Sequence, residues 1–232
     1  SSDLACDATI LWTEFLYEKK IVTDPIWRQY DRDMVKSYAK GVLDIRDFCR
    51  KHAGAFRSIP EEKLHALAQE FAKKKIAPLI FPDGKKWAKN ALQANIPACV
   101  LSASAAFIVK PIAKLFGLTD AMGIELAFKD GFCTGEIVGI PTFQEGKVER
   151  LSQRLAEAGI GFEDVLFFTD SRNDLPLAER AGYTVCVNPD AVLESAARKN
   201  GWKVAEWKLS LRTQMTAQVD AKGVPETQTV RS

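Results

Sequence analysis

The residues with the clearest chemical pattern are two aspartates, Asp170 and Asp174, which lie four positions apart after an apolar run at 165–168. A buried strand over that run delivers Asp170 to its carboxyl end, and Asp174 then opens the next helix. Two carboxylates across such a turn suit a hard cation such as Mg²⁺, which takes oxygen ligands. The structural alternative is that Asp174 only caps the helix, with Pro176 in its first turn.

Two further polar side chains stand where predicted helices begin. Ser102 follows the apolar run 98–101, and its hydroxyl with the next backbone N–H groups could hold a phosphate oxygen. A plain helix cap is the alternative for Ser102. Lys147 starts a later helix, where its charge could neutralise a transferring phosphoryl group. A solvated surface lysine is the alternative there.

Other phosphate- and acyl-handling motifs are absent from the sequence. Six residues separate Gly139 from Gly146, and Val148 stands where a P-loop needs Ser or Thr. No G-x-G-x-x-G opens a helix, so a dinucleotide-binding fold has no support, and no G-x-S-x-G nucleophile elbow occurs.

The elements that must position these residues follow from the apolar pattern. Residues 10–80 have a helical pattern throughout, and Leu64, Leu67, Ala68 and Phe71 share one helix face. From about residue 82, short apolar runs alternate with helices, which predicts a parallel sheet covered on both faces, with ligands at the carboxyl ends of its strands. The predicted strands are 98–101, 123–128, 165–168 and 184–187; the predicted helices are 83–95, 104–116, 146–158, 175–181 and 190–200; hairpin turns are predicted at 130–131 and 134–135.

Composition excludes several classes of protein. The 232 residues carry a net charge of +2, which argues against a nucleic-acid binder with a strong basic field. No apolar run reaches the roughly 18–20 residues that span a membrane, and no signal peptide is visible at the start. Five scattered cysteines without a C-x-x-C pair, and only two histidines, argue against a disulfide framework or a zinc site. We therefore expect a cytoplasmic protein.

The order of the polar clusters along the chain resembles the haloacid-dehalogenase superfamily of phosphohydrolases, in its phosphoserine-phosphatase-like branch. The likeness covers most of residues 7–207, and the helical block falls where this branch inserts its helical cap. The segments that carry the likeness are 101–113 (second motif), 146–147 (third motif), 170–174 (fourth motif), the hairpin 130–135, and the C-terminal segments at 188–190 and 201–202.

The resemblance implies a Mg²⁺-dependent hydrolase of phosphate monoesters that works through an aspartyl-phosphate. In the family, the residue matching Ser102 binds the phosphoryl oxygens, and the one matching Lys147 stabilises the nucleophile and the phosphate. A charged transition state requires such fixed positive groups. Asp170 and Asp174 are the implied Mg²⁺ ligands; Ser102 and Lys147 are the implied catalytic residues; Ser102, Ala103, Lys147 and Asn173 are the implied substrate-binding residues.

The family's first motif, D-x-D-x-T, is missing. Aligning residues 7–12 with the family's segment after that motif places both catalytic aspartates just before Ser1, and Asp3 and Asp7 lack the D-x-D spacing. The motif's strand lies in the middle of the family's sheet, so its loss would leave backbone groups unpaired. We therefore expect a fragment of a longer chain. The rival is a short protein that has lost catalysis and keeps a phosphate- or metal-binding shell.

The sequence thus predicts an α/β fold, a three-layer Rossmann-like core with a parallel sheet plus an inserted helical cap. The predicted domains are a discontinuous core at 1–12 and 80–208, a cap at 13–79 and a tail at 209–232. The predicted partner is a small phosphorylated metabolite, with no nucleic acid and no membrane. Ser-Ala-Ser at 102–104, where Ser-Gly-Gly is usual, disfavours phosphoserine as the substrate. A phosphotransferase with an acceptor other than water is a further alternative.

Overall fold

A computed structural model of the chain describes residues 4–210, so the predictions for Asp3 and for nearly all of the tail lie outside the described residues. The first part of the chain is helical, as predicted. Its helices are α1 (Leu4–Glu18), α2 (Ile26–Ala39), α3 (Ile45–His52) and α4 (Glu61–Phe71), and a π-helical turn follows at Ala72–Ile76.

Local signals explain these helix boundaries. Pro25 immediately precedes α2, and Gly41 follows its end with a φ of 73°. Asp44 caps α3 by accepting from the backbone N–H groups of Arg46 and Asp47. The predicted face of α4 is confirmed, because its buried residues are the four that share the i, i+3, i+4, i+7 spacing.

The helical block has an aromatic core that continues into the rest of the chain. The fully buried indole of Trp12 has four phenylalanine rings around it, with centroids 5.4–6.5 Å away. Three of these rings come from the helical block, and the fourth comes from a helix beyond residue 100. The rings belong to Phe15, Phe56, Phe71 and Phe107.

The second part of the chain alternates strands and helices. Its helices are α5 (Pro82–Gln93), α6 (Ala106–Leu115), α7 (Glu145–Ala158), α8 (Leu175–Ala178) and α9 (Ala191–Asn200). Its strands are β1 (Cys99–Ala105), β2 (Asp120–Ile124), β3 (Leu126–Lys129), β4 (Phe132–Ile137), β5 (Leu166–Thr169), β6 (Tyr183–Val187) and β7 (Lys203–Ala205).

The strands form two parallel ladders and one hairpin. β1 pairs with β2 in parallel, β5, β6 and β7 form a second parallel sheet in that order, and β3 pairs with β4 antiparallel. Asp130 and Gly131 turn the hairpin with φ values of 52° and 78°, as a two-residue loop requires. Within the described residues no ladder joins β1 to β5.

Both parallel sheets are covered by the same two helix layers. Cys99 and Leu101 on β1 and Phe167 on β5 pack in one apolar cluster with α7 and α8. On the opposite face, Val100 packs with α5 and α6, and Phe168 lies 5.2 Å from the Trp87 ring of α5. The prediction of a three-layer α/β fold with a parallel sheet is confirmed.

Some boundaries differ from those predicted. The strand predicted at 123–128 is two strands, β2 and β3, because Glu125 separates the parallel ladder from the hairpin. Thr134 and Gly135 lie inside β4 and do not form a turn, and β7 was not predicted. Among the described residues no helix is both long and apolar enough to cross a membrane.

Candidate active site

The centre of the polar cluster is a buried ion pair between Lys147 and Asp174. The Lys147 Nζ atom lies 2.5 Å from Asp174 Oδ1, and the two residues are only 3% and 7% exposed. Thr169 Oγ1 donates to the other carboxylate oxygen over 2.9 Å. Asp174 starts α8 but makes no side-chain cap there, so the capping alternative for its side chain is wrong. The surface alternative for Lys147 is wrong as well.

The loop before α7 links Lys147 to Ser102 through a hydrogen bond. Thr142, fully buried, donates its hydroxyl to the Ser102 carbonyl over 2.6 Å. Gly146 then lies so close to this loop that an added Cβ would be 2.0 Å from the Pro141 carbonyl oxygen. The backbone around Gly146 is therefore held where only glycine fits, and Lys147 follows at a fixed position.

Ser102 lies inside β1, so its predicted place directly before a helix is wrong; α6 begins at Ala106. The register with β2 is irregular between Leu101 and Ala105, which takes Ser102 out of the regular ladder. Its hydroxyl accepts from the Ser104 N–H over 3.2 Å. Ser102 therefore does not cap α6.

Asp170 follows β5 directly and is half-buried, as the strand-end prediction requires. Its carbonyl accepts from the Asp190 N–H over 3.3 Å, and the Asp190 carboxylate accepts from the Arg172 N–H over 3.1 Å. Asp190 also caps α9. The loops after β5 and β6 are therefore tied together at the carboxyl ends of their strands, where α/β sheets bind ligands.

Asn173 joins this edge of the sheet to the helical block. Its side-chain Nδ2 donates to the Tyr38 carbonyl over 3.1 Å, and its Oδ1 accepts from Gln144 over 3.3 Å. Arg172 donates to the Ala39 carbonyl over 2.5 Å. The C-terminal carbonyls of α2, which carry partial negative charge, therefore rest on the 170–174 loop.

A small pocket lies beside Ala103, between the sheet edge and the helical block. Its volume is about 20 Å³. The sequence carried no signal for the other lining residues except the helical spacing of pairs such as Met34 and Tyr38. The lining residues are Thr9, Met34, Tyr38, Leu43, Ile45, Phe48 and Ala103.

Two titratable groups with shifted pKa values lie within the helical block. Burial raises the pKa of Asp31 to about 7, against the opposing effect of a hydrogen bond with Thr13. Burial lowers the pKa of His52 to about 4, so its imidazole is neutral at pH 7. The sequence offered no signal for this pair beyond its helical context.

The family model for haloacid dehalogenase-like hydrolases matches residues 4–179. The chain belongs to this family. It is 34% identical over 206 residues to a histidinol-phosphatase of Neisseria meningitidis, across 87% of this chain and 93% of the relative.

Further relatives and solved structures, among them phosphoserine phosphatases, are similar to this chain. A probable phosphatase of Mycobacterium tuberculosis is 33% identical over 163 residues, and the match spans 69% of this chain but only 54% of the relative. A Bordetella pertussis protein of unknown function matches with a TM-score of 0.76 and 29% identity over 85% of this chain and 90% of its own. A phosphoserine phosphatase, captured as a phospho-aspartyl intermediate analogue, shares the fold with a TM-score of 0.58, at 20% identity over 90% of each chain.

These findings confirm the predicted family, branch and phosphatase class. The fold family also implies a metal ion, Mg²⁺, at this site. Among the described residues no group of three His, Cys, Asp or Glu side chains gathers, and the two carboxylates that the sequence predicts as ligands are Asp170 and Asp174. Mg²⁺ is commonly held by one or two carboxylates with water and substrate phosphate, and these hard oxygen donors fit that requirement.

Proposed function

We propose that this protein is a Mg²⁺-dependent hydrolase of phosphate monoesters that acts on a small phosphorylated metabolite through an aspartyl-phosphate. The observation that carries the proposal is the buried Lys147–Asp174 pair next to Asp170 at the carboxyl end of β5. A buried lysine beside a cation site is positioned to offset phosphoryl charge. The Neisseria and mycobacterial relatives, named as phosphatases, support this class of reaction.

In this proposal each residue has one task. Ser102, with the backbone of Ala103, binds phosphoryl oxygens, and Lys147 donates to the nucleophile and the phosphate. Asn173 orders the 170–174 loop and borders the substrate. Asp170 and Asp174 hold Mg²⁺, which when bound would offset the negative charge of the phosphoryl group. Lys147 pairs with the Asp174 carboxylate, which is otherwise costly to bury.

The nucleophile is proposed to come from an aspartate on a strand that enters between β1 and β5. These two strands face the same helix layers and have no ladder between them in the described part of the chain. A carboxylate oxygen of that aspartate attacks phosphorus, and the P–O bond to the alcohol breaks. The alcohol leaves with a proton from a neighbouring acid, and water then hydrolyses the acyl phosphate.

The proposed domains are those of the sequence: a discontinuous core at 1–12 and 80–208, and a cap at 13–79. The contacts of Arg172 and Asn173 with the end of α2 support a cap that covers the site. The protein is proposed to act in the cytoplasm on a free small molecule, with no nucleic acid or membrane as partner.

The test is hydrolysis of an aryl phosphate by a chain that carries the proposed strand, with and without Mg²⁺. We expect turnover that EDTA abolishes and that Asp170→Asn lowers by a factor of 100 or more. Asp164→Asn, an exposed aspartate six residues earlier, is the matched control and should keep the wild-type rate. Metal-independent turnover, or an active Asp170→Asn variant, would remove Asp170 from the metal site. A folded chain that carries the strand but shows no turnover would favour the inactive binding module.

A further inference from the structure

Gln144 has a backbone conformation that residues other than glycine rarely adopt. Its φ is 48° and its ψ is −124°. The Gly146 N–H donates to the Phe143 carbonyl over 2.9 Å, which closes a four-residue turn with Gln144 as its second residue. The two angles match that position of a type II′ turn, which glycine dominates because it has no Cβ. Gln144 is therefore held in a strained conformation directly before the helix that carries Lys147.

The side chain of Gln144 shows what this conformation makes possible. Its Nε2 atom donates to the Gly41 carbonyl and to Asn173 Oδ1, each over 3.3 Å. A carboxamide nitrogen carries two hydrogens, so each oxygen receives one of them. The three residues come from separate parts of the fold: the loop before α7, the chain after α2 and the 170–174 loop. Gln144 therefore bridges the helical block and the candidate active site.

Asn173 is the residue through which this bridge reaches the site. It is only 3% exposed. While its oxygen accepts from Gln144, its Nδ2 atom donates to the Tyr38 carbonyl over 3.1 Å and to Ser171 Oγ over 3.4 Å. The reversed amide would place its NH₂ group against the NH₂ group of Gln144. Gln144 thus fixes the orientation of the Asn173 amide, directly before Asp174 in the chain.

The same bridge fixes the end of α2. The carbonyl groups at the C-terminal end of a helix lack partners within the helix and accept from donors elsewhere. Three side chains of the α/β part supply such donors at the end of α2, so the position of this helix is linked to the 170–174 loop. The pairs are Tyr38 with Asn173, Ala39 with Arg172, and Gly41 with Gln144.

We propose that Gln144 is a positioning residue, whose carboxamide holds the Asn173 amide and the end of α2 together so that the substrate meets Asn173 in one orientation. The strained turn is retained because it directs the carboxamide at both oxygens. This assignment rests on the proposed function, in which Asn173 borders the substrate. Gln144 acts through Asn173 and does not touch the reacting atoms.

The first test separates the side chain of Gln144 from its backbone, in a chain that carries the proposed strand. Gln144→Ala and Gln144→Gly both remove the carboxamide, and we expect each to lower kcat/KM for an aryl phosphate by about tenfold or more. Gln144→Gly also relieves the turn, so its urea midpoint should be higher than that of Gln144→Ala. The rate should thus follow the side chain, while stability follows the backbone.

Two further variants test the hydrogen bonds themselves. Gln144→Glu keeps the shape but accepts where the carboxamide donates, so its kcat/KM should be at least as low as that of Gln144→Ala. In an Asn173→Ala background, Gln144→Ala should lower kcat/KM by less than about threefold, because its partner is absent. The control is Gln153→Gly, at an exposed position inside α7, which should lower the urea midpoint and keep the wild-type rate.

The outcomes separate this inference from the proposed function. A wild-type rate in Gln144→Ala, a higher rate in Gln144→Gly than in Gln144→Ala, or an equal loss with and without Asn173 would overturn the positioning role and leave the hydrolase intact. If no variant folds except Gln144→Gly, the comparison is made between that variant and the wild type, and an unchanged rate overturns the proposal.

If the wild type turns over no monoester, the proposed function fails, and amide hydrogen exchange decides the inference. Faster exchange in Gln144→Gly than in the wild type, at both 38–42 and 170–174, supports the bridge, because both segments lose a donor. Unchanged exchange in either segment overturns it.

Discussion

At the scale of single residues, the Lys147–Asp174 pair shows how burial gives a common side chain a specific role. The pair is nearly removed from water, so each charge depends on the other for compensation. Thr169 satisfies the second carboxylate oxygen, which leaves the Asp174 side chain fixed from two directions. A lysine that is rigid, charged and water-excluded is suited to stabilise phosphoryl charge.

Replacing Lys147 by methionine tests this pair directly. The change leaves Asp174 as an uncompensated buried charge, and we expect the free energy of unfolding at pH 7 to fall by about 3–5 kcal/mol. Urea unfolding followed by circular dichroism measures it. Lys110→Met, which breaks an exposed ion pair with Glu125, should cost less than about 1 kcal/mol. Equal losses in the two variants would contradict the buried-pair argument.

The Asp31–His52 pair predicts opposite pH dependences in two variants. The folded-state pKa of Asp31 is raised from 3.8 to about 7. Asp31 alone therefore lowers the free energy of unfolding as the pH rises between these two values. The folded-state pKa of His52 is lowered from 6.5 to about 4, so His52 alone makes stability fall as pH drops through its window. In the wild type the two effects oppose each other between about pH 4 and 6.5.

Each variant should therefore show the pH dependence of stability that the remaining partner causes. His52→Gln should lose stability from pH 4 to 7, and Asp31→Asn should lose it from pH 6.5 to 4, each by at most about 1.4 kcal/mol per pH unit. Urea midpoints at half-unit pH steps provide the measurement. His65→Gln, at a half-exposed histidine, is the control and should follow the wild-type curve. Parallel curves for the two pair variants would show that burial does not set these pKa values.

At the scale of elements, the start of α7 is held by a contact that only glycine permits. A Cβ on Gly146 would lie 2.0 Å from the Pro141 carbonyl, and the adjoining loop also fixes Ser102 through Thr142. The two phosphate-binding candidates are thus placed by one short connection between β4 and α7.

Gly146→Ala should therefore damage both stability and rate. We expect a loss of about 1–3 kcal/mol from overpacking, because the backbone must shift. A shift of about 1 Å at Lys147 should also lower kcat by up to about 100-fold. Ser152→Ala, on the exposed side of the same helix, should change neither. Urea unfolding and aryl phosphate kinetics on both variants give the comparison; a fully active Gly146→Ala protein would rule out this positioning role.

The sequence predicts the type of most helices and strands correctly, but it predicts their first and last residues less well. Period-3.6 apolar spacing predicted α4, and Gly117, Gly159 and Gly201 stop their helices with positive φ, as expected. The sequence predicts one strand where β2 and β3 lie, because an apolar run does not reveal where the chain changes its pairing partner. β7 has three residues, too few for a pattern to be visible.

At the scale of the whole molecule, the parallel sheet is in two parts that share their helix layers. An inserted central strand would pair with β1 on one side and β5 on the other, satisfying backbone groups on both. The helical block then contacts the site edge through the end of α2.

A chain that carries that strand should therefore be more stable than the 232-residue chain. We expect a higher urea midpoint and slower amide hydrogen exchange in β1 and β5, because both edges become hydrogen-bonded. Exchange measured by mass spectrometry on the two proteins shows where protection is gained. Protection gained elsewhere, with β1 and β5 unchanged, would contradict the proposed strand position.

The sequence alone determined the α/β class and most elements, and it proposed the set Ser102, Lys147, Asp170 and Asp174, because local periodicity and motif order are properties of neighbouring residues. The tertiary structure decided which alternative each of them takes. Asp174 pairs with Lys147 instead of capping α8, and Ser102 lies within a strand. The pocket and the Thr13–Asp31–His52 cluster needed the structure entirely, since burial and its pKa shifts arise when three helices pack together, and no residue's neighbours along the chain carry that information.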